Sequence, residues 1–369
     1  MIKKAFDSHN VEVVLVQNSE PIDTKGLVDK EFFVSEKEKY FNKLKEVIIE
    51  DDIDFCISTS GYDELTVLDS FVGEICRIHN VNFIGQSYEC SNICWDKWQT
   101  KEMLKLNEVS VLDNLLCENH SVLLKSIESF NTPIVIKNIK GISGKHQKVI
   151  FDKKKLEGLS DLVYPVILEP FIEGTEYSID IFSHNNKHIV YPPIYKGEVT
   201  TDNFSHPMLK LRVTPPPNKN ELLNKLIEKG IRVSKAIKST GWVNIDMIVS
   251  NNKIYVLEVN ARFSGTTRIT YMATEINPYK ITLEAAIGKI DKDRVIESKN
   301  VAIEFPIYKK IKKHLPFVNI YYTSTHLPAI GRATVKLVKD KPLPEELIEL
   351  MVKAGSEKYI KDIENLLSL

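Results

Sequence analysis

The chain has 369 residues, 43% hydrophobic and 27% charged, which is enough for two or three domains with ample cores. Its 49 basic and 50 acidic side chains leave a formal charge of −1, so neither nucleic acid nor an anionic membrane is expected as a partner, and binding must come from a local site. The five cysteines, Cys56, Cys76, Cys90, Cys94 and Cys117, form no CxxC pair and read as reduced, buried thiols rather than a zinc site. No apolar run approaches the ~18 residues of a membrane span. The start MIKKAFDSHN has no signal-peptide core, so a cytoplasmic location is expected.

The first 85 residues alternate β-rich runs with amphipathic helices: VEVVLV (11–16), a helix near Ser35 to Asp51, IDFCIS (53–58), a helix near Glu64 to His79, and VNFIG (81–85). This is the βαβ pattern of a small parallel, Rossmann-like sheet, except that Met1 falls directly into what reads as the first helix, so either the first strand is lost or the true start lies upstream. From about Cys90 a charged helix, CWDKWQTKEMLK, leads into runs at 133–137, 147–151, 165–171 and 175–182 that read as antiparallel strands. The break TPPPNKN (214–220) precedes a helix near Glu221 to Lys238, then strands WVNIDMIV (242–249) and KIYVLEVN (253–260) joined by a Ser250-Asn251-Asn252 hairpin turn. A helix after Asn277-Pro278 and a tail of mixed strands with a final amphipathic helix complete the chain, without internal repeats.

Four stretches could carry chemistry. In YVLEVNARFSG (255–265), Glu258 and Asn260 share one strand face, and Asp246 faces them if the hairpin register allows. Such a hard-oxygen set suits Mg²⁺, and Arg262 follows at the next alternate position, where it could hold a phosphate or an oxyanion. A solvated sheet end with an ion pair would read the same way, but leaving charges beside Val256, Leu257 and Val259 without a cation is costly. In KNIKGISGKHQK (137–148), Gly141, Ser143, Gly144 and Lys145 could bring backbone N–H groups and charge to a phosphate, although the spacing is not that of a Walker A loop and also fits a basic hairpin turn. Lys137 ends an apolar strand and needs an anionic partner.

The third stretch, EPFIEGTEYSID, places Glu169, Ile172 and Glu176 along strand, linker and strand, suited to an adenine edge and ribose hydroxyls or equally to a plain hairpin. In the fourth, Lys97, Lys101 and Lys105 line one side of a helix, a spacing that usually marks a solvated face.

In this order, Lys97, Lys137, the Gly141 to Lys145 loop, Glu169 to Glu176, Asp246, and Glu258 to Arg262 resemble the motif series of the ATP-grasp superfamily, over about residues 1–290. The most specific part is the ExN segment with an acid about a dozen positions earlier on the neighbouring strand. The style is closest to carboxylate–amine ligases and carbamoyl-phosphate-synthase-like members, and D-alanine–D-alanine ligases share the E-x(6)-E spacing of Glu169 and Glu176.

The resemblance implies an ATP-grasp fold, mixed α/β and α+β. Its parts would be a Rossmann-like domain lacking its first strand at 1–90, an ATP-grasp domain at 91–295 (lid subdomain about 108–172, metal-binding subdomain about 173–295), and an α+β segment at 296–369 completing the larger subdomain. By carry-over Lys97 and Lys137 contact ATP phosphates, Gly141, Ser143, Gly144 and Lys145 form a mobile lid, Glu169 and Ile172 frame adenine, and Glu176 binds ribose. Asp246, Glu258 and Asn260 would hold one or two Mg²⁺, with Mn²⁺ as a substitute.

The implied reaction phosphorylates a small-molecule carboxylate, and an amine attacks the acyl phosphate to give an amide, ADP and phosphate. Catalytic roles would fall to Arg262, Lys137 and Arg268, with Arg212 a weaker candidate of the same kind as Arg268, and the enzyme could assemble as a homodimer. Two departures stand out: the missing first strand, and Asn244 where some of these ligases have a phosphate-binding Arg two residues before the first metal acid. Bicarbonate phosphorylation of the carbamoyl-phosphate-synthase or biotin-carboxylase type, and a non-catalytic ATP-binding module, are the alternatives.

Overall fold

The computed structural model describes residues 11–17, 26, 28–141, 147–154, 159–202, 207–217, 220–312, 315–323, 329–338 and 341–368. The expected first helix, and Ser143, Gly144 and Lys145, lie outside them. The N-terminal part alternates strand and helix: β1 (Val14–Gln17), β2 (Lys30–Phe33), α1 (Lys37–Glu50), β3 (Phe55–Ile57), α2 (Asp63–Ile78) and β4 (Asn82–Ile84). The pairs β1–β2 and β3–β4 are both parallel, but among the described residues they make two small sheets rather than one. Tyr40, Leu44 and Ile48, four apart along α1, pack on Val72 and Cys76 of α2, the stripe that a period of 3.6 places on one helix face.

The single charged helix expected from Cys90 is two, α3 (Tyr88–Trp95) and α4 (Lys97–Leu106). Asp96 separates them because its backbone is extended (φ −103°, ψ 107°) and its carboxylate accepts the Gln99 N–H at 3.0 Å, which caps α4.

A small antiparallel sheet follows, built from β5 (Leu115–Cys117), β6 (Ile134–Asn138), β7 (Lys148–Ile150) and β8 (Val166–Pro170) in the order β5-β8-β6-β7. Leu123 and Ile127 of α5 (His120–Ser129) cover Ile134, Ile136 and Leu168. After the linker 171–173 comes a ten-stranded sheet. Its elements are β9 (Gly174–His184), β10 (Lys187–Val190), β11 (Ile194–Val199), β12 (Arg212–Thr214), α6 (Asn220–Ala236), β13 (Trp242–Ser250), β14 (Lys253–Asn260), α7 (Thr267–Thr274), α8 (Pro278–Ala286), β15 (Arg294–Val295), β16 (Val301–Ile307), β17 (Val318–Tyr322), β18 (Gly331–Leu337), α9 (Glu345–Lys353) and α10 (Ile360–Leu367). Strand order is β14-β13-β9-β11-β12-β16-β18-β17, with β10 and β15 attached beside β9.

Two local features set this sheet's register. Asn251 and Asn252 both take positive φ (49° and 59°), the pattern of a two-residue hairpin turn whose twist matches the strands. At the start of β9 a Cβ on Gly174 would lie 2.3 Å from the Val249 carbonyl oxygen, so only glycine lets β9 begin against β13. Alternation along β9 then divides its side chains. Tyr177, Ile179 and Ile181 join Ile245, Met247, Val256 and Val259 beneath Leu226 and Val233 of α6, while Glu176, Ser178 and Asp180 take the opposite face. No helix among the described residues is long and apolar enough to cross a membrane.

Candidate active site

The hairpin places Asp246 directly opposite Glu258, and Asn244 opposite Asn260. On the other side of β13, Asn244 faces Asp180 and Asp246 faces Ser178 of β9. The register shifts beside this cluster: Asp246 pairs with Glu258 but Met247 with Val256, so Leu257 has no cross-strand partner. A bulge of this kind twists the strand and redirects the side chains that follow, here Glu258 and Asn260. Leu257 and Glu258 are both half-buried, whereas Val256 and Val259 are buried.

Ammonium groups converge on these acids. Lys97, the first residue of α4, lies 3.0 Å from Glu258 Oε1 and donates to the Gly141 carbonyl at 2.8 Å. It thereby ties β14 to Gly141. Gly141 itself has φ +135°, a conformation that L side chains rarely adopt. Lys196 of β11 lies 2.9 Å from Asp246 Oδ2, and the other oxygen, Oδ1, is buried without a hydrogen-bond partner among the described residues. Burial would raise the Asp246 carboxyl, but the Lys196 ammonium outweighs it and brings the pKa below the ordinary value. Lys210, just before β12, pairs with Glu176.

Glu169, on β8 of the small sheet, is wholly buried between two lysines, with Lys101 at 2.6 Å and Lys137 at 2.8 Å. Burial raises its pKa and the two ammoniums, Lys137 first, more than reverse that, to about 2. Burial lowers the pKa of Lys101, whose side chain is 4% exposed. The expectation of a solvated lysine face is therefore corrected: Lys97 pairs with Glu258 and Lys101 with Glu169, and only Lys105 runs out to Glu102 and Asn114. Glu169 cannot offer its carboxylate outward. Ile172 lies in the linker between the two sheets, next to Glu173, whose carboxylate accepts from the Thr201 N–H at 2.8 Å.

Arg262 does not continue the strand, because β14 ends at Asn260. It lies in the following loop, with Nε 2.9 Å from Asp63 Oδ1, Nη2 3.3 Å from Asp63 Oδ2 and 3.0 Å from Asn260 Oδ1, and Nη1 3.3 Å from the Phe263 carbonyl. Below this loop the buried Asp180 accepts from Asn244 Nδ2 (2.8 Å), Ser264 Oγ (2.9 Å) and Thr266 Oγ1 (3.0 Å). With only neutral donors around it, burial leaves the Asp180 carboxyl above its ordinary pKa.

The two other candidate arginines have partners of their own. Arg268, on α7, stacks its guanidinium 3.5 Å from the ring centroid of Tyr321 on β17, the strand at the opposite end of the sheet from β14. Arg212 is buried against Glu304 at 2.7 Å, and Arg332 Nε takes the same carboxylate oxygen at 2.7 Å. That internal triad holds Arg212, whose charge also helps to lower the Asp246 carboxyl.

Four residues at the cluster were missed by the motif reading: Asp63, Lys101, Lys196 and Lys210. The signal that singled out Lys137, an ammonium inside an apolar strand, is also present at Lys196 in PPIYKGEV. Asp63 carries no such signal, since an acid in the first turn of a helix is ordinary.

Residues 94–266 match the family model described as ATP-grasp domain. Over 289 residues the chain is 26% identical to a carbamoyl-phosphate synthase from Methanobrevibacter smithii, covering 76% of each chain. It is 24% identical to a carbamoyl phosphate synthase large chain from Clostridium acetobutylicum, of whose length it spans 24%. An N5-carboxyaminoimidazole synthetase from Staphylococcus aureus, solved with ADP, superimposes with a TM-score of 0.75 at 17% identity over 96% of this chain and 93% of that one. Two sheets joined by a three-residue linker, with acids and lysines converging between them, thus carry the segment at 94–266 that matches the ATP-grasp domain.

Proposed function

We propose that this protein is an ATP-dependent, ADP-forming ligase that activates a small-molecule carboxylate as an acyl phosphate for attack by an amine. The observation that carries the reading is the convergence of Lys97, Lys137, Asp246, Glu258, Asn260 and Arg262 from both sheets and α4. The donor set fits Mg²⁺. Two carboxylates face each other, and the Asn260 amide oxygen has a second lone pair besides the one Arg262 uses. Mg²⁺ characteristically takes one or two carboxylates and completes its shell with water and phosphate, so the absence of a larger acid, histidine or cysteine cluster among the described residues suits it. Asp246, Glu258 and Asn260 would hold one or two such ions, or Mn²⁺ in their place. When bound, the metal would offset charge on the β- and γ-phosphates.

The chain's own groups supply the rest. Lys97 is free to exchange Glu258 for a phosphate oxygen without leaving its helix. Lys137, held by Glu169, presents a fixed charge at the strand end, where ATP phosphates would lie. Glu176 is placed for ribose hydroxyls once it exchanges Lys210, and the linker at Ile172 offers backbone groups to adenine. Lys196 stands beside Asp246 and supplies the cation that Asn244 does not. Gly141, Ser143, Gly144 and Lys145 would close over the phosphates and keep water from the acyl phosphate.

A second reading, phosphorylation of bicarbonate, is favoured by the two relatives named as carbamoyl phosphate synthases. ADP release in Mg²⁺, screened with amino acids singly and in pairs and with bicarbonate, separates the readings. Release that needs two substrates supports the ligase, release with bicarbonate alone supports the second, and ATP binding without turnover leaves a non-catalytic module.

A further inference from the structure

Arg262 is gripped by a residue from another part of the chain. Asp63 lies 199 positions away, in the first turn of α2, where the loop after β3 brings it to the end of β14. Its two oxygens take Nε and Nη2 of Arg262, and both side chains are nearly buried, 14% and 11% exposed. A guanidinium has five N–H donors in a rigid fork. Asp63 takes two of them, Asn260 a third and the Phe263 carbonyl a fourth, which leaves one N–H on Nη1.

A small cavity lies against the arginine. The cavity there, lined by Ser58, Ser60, Gln86 and Arg262 among others, has a volume of about 10 Å³, room for at most one water.

We infer that Asp63 is a positioning residue: it locks the Arg262 guanidinium so that one Nη1 N–H is presented to the oxyanion or acyl phosphate, making the N-terminal segment part of the catalytic unit. The inference rests on the ligase reading for what Arg262 touches, but not for how Arg262 is held. Without Asp63 the guanidinium can swing toward Glu258, only four residues away in sequence, and its donor is no longer aimed.

The test uses the full chain with Asp63→Ala and Asp63→Asn, the latter keeping an acceptor for Nε. With the substrates that give ADP release in the wild type, Asp63→Ala should lower kcat on the order of 10²-fold at unchanged KM for ATP. Asp63→Asn should be affected less, in kcat and in melting temperature alike, because Asp63→Ala leaves the nearly buried guanidinium without an acceptor. Wild-type kcat in Asp63→Ala overturns the inference, and so does a loss in both variants that simply follows the loss of folded protein. If the wild type releases no ADP with any substrate, the ligase reading fails separately, and phenylglyoxal labelling of Arg262, followed by peptide mass spectrometry, decides the inference. Labelling at least tenfold faster in Asp63→Ala supports it, and equal rates overturn it.

Discussion

Replacing Glu169 by Gln removes one charge from the most enclosed electrostatic group near the site and leaves its shape intact. Two ammoniums, at 2.6 and 2.8 Å, would then lie around a neutral amide in a position with no exposure to solvent. A carboxyl held at about 2 instead of 4.5 corresponds to about 3 kcal/mol of folded-state stabilisation, the size expected when one partner of a buried ion pair is removed. Because the folded pKa is depressed, this stabilisation is complete above about pH 4.5 and is lost as the pH falls toward about 2. Urea unfolding followed by tryptophan fluorescence suits the measurement, since Trp95 and Trp98 flank the helix start that carries Lys101. The wild type should exceed Glu169→Gln by about 3 kcal/mol near pH 7, and the gap should shrink steadily in acid. A gap below about 1 kcal/mol at neutral pH, or one that stays constant down to about pH 2.5, would refute the view that Glu169 is a buried anion shared by two lysines.

Glu258→Gln should cut ADP release at least about a hundredfold with an unchanged circular dichroism spectrum, because it would remove a proposed metal ligand and removes the resting partner of Lys97; full activity would sink the metal assignment. Lys196→Met should release the Asp246 carboxyl from its lowering partner, so that ADP release falls off at higher pH than in the wild type. An unmoved acidic limb of the pH profile would contradict that. Arg268→Ala should cost about 1 kcal/mol of stability through the lost stack on Tyr321 while kcat stays within about twofold, whereas a tenfold loss of kcat would restore it to the reaction.

Much of the chain's local structure was legible because it depends on neighbours within a few residues. Apolar β-rich runs marked the strands at 133–137 and 242–260, Asn251 and Asn252 marked the hairpin, and the order of Lys97, Lys137, Glu169, Asp246 and Glu258 marked the resemblance that the ATP-grasp domain match bears out. The missed features are those a periodic pattern does not contain. A cap at Asp96 can split a helix whose polar stripe reads as unbroken, and a bulge at Leu257 leaves alternation intact on either side while turning the strand. Lysines spaced four apart look alike in one dimension, although Lys101 is buried at Glu169 and Lys105 is not.

Taken alone, then, the amino-acid order determined which residues sit on strands and helices, and which acids and lysines could meet a nucleotide. Only the tertiary structure decided the partners: Lys97 with Glu258, Lys196 with Asp246, Lys101 and Lys137 with Glu169, and Asp63 with Arg262. The reason is physical. Helix and strand periodicity are set by contacts between near neighbours in the chain, whereas the pairing of buried charges is set by sheet register and by the docking of α2 and α4. Those depend on packing between segments up to 199 residues apart.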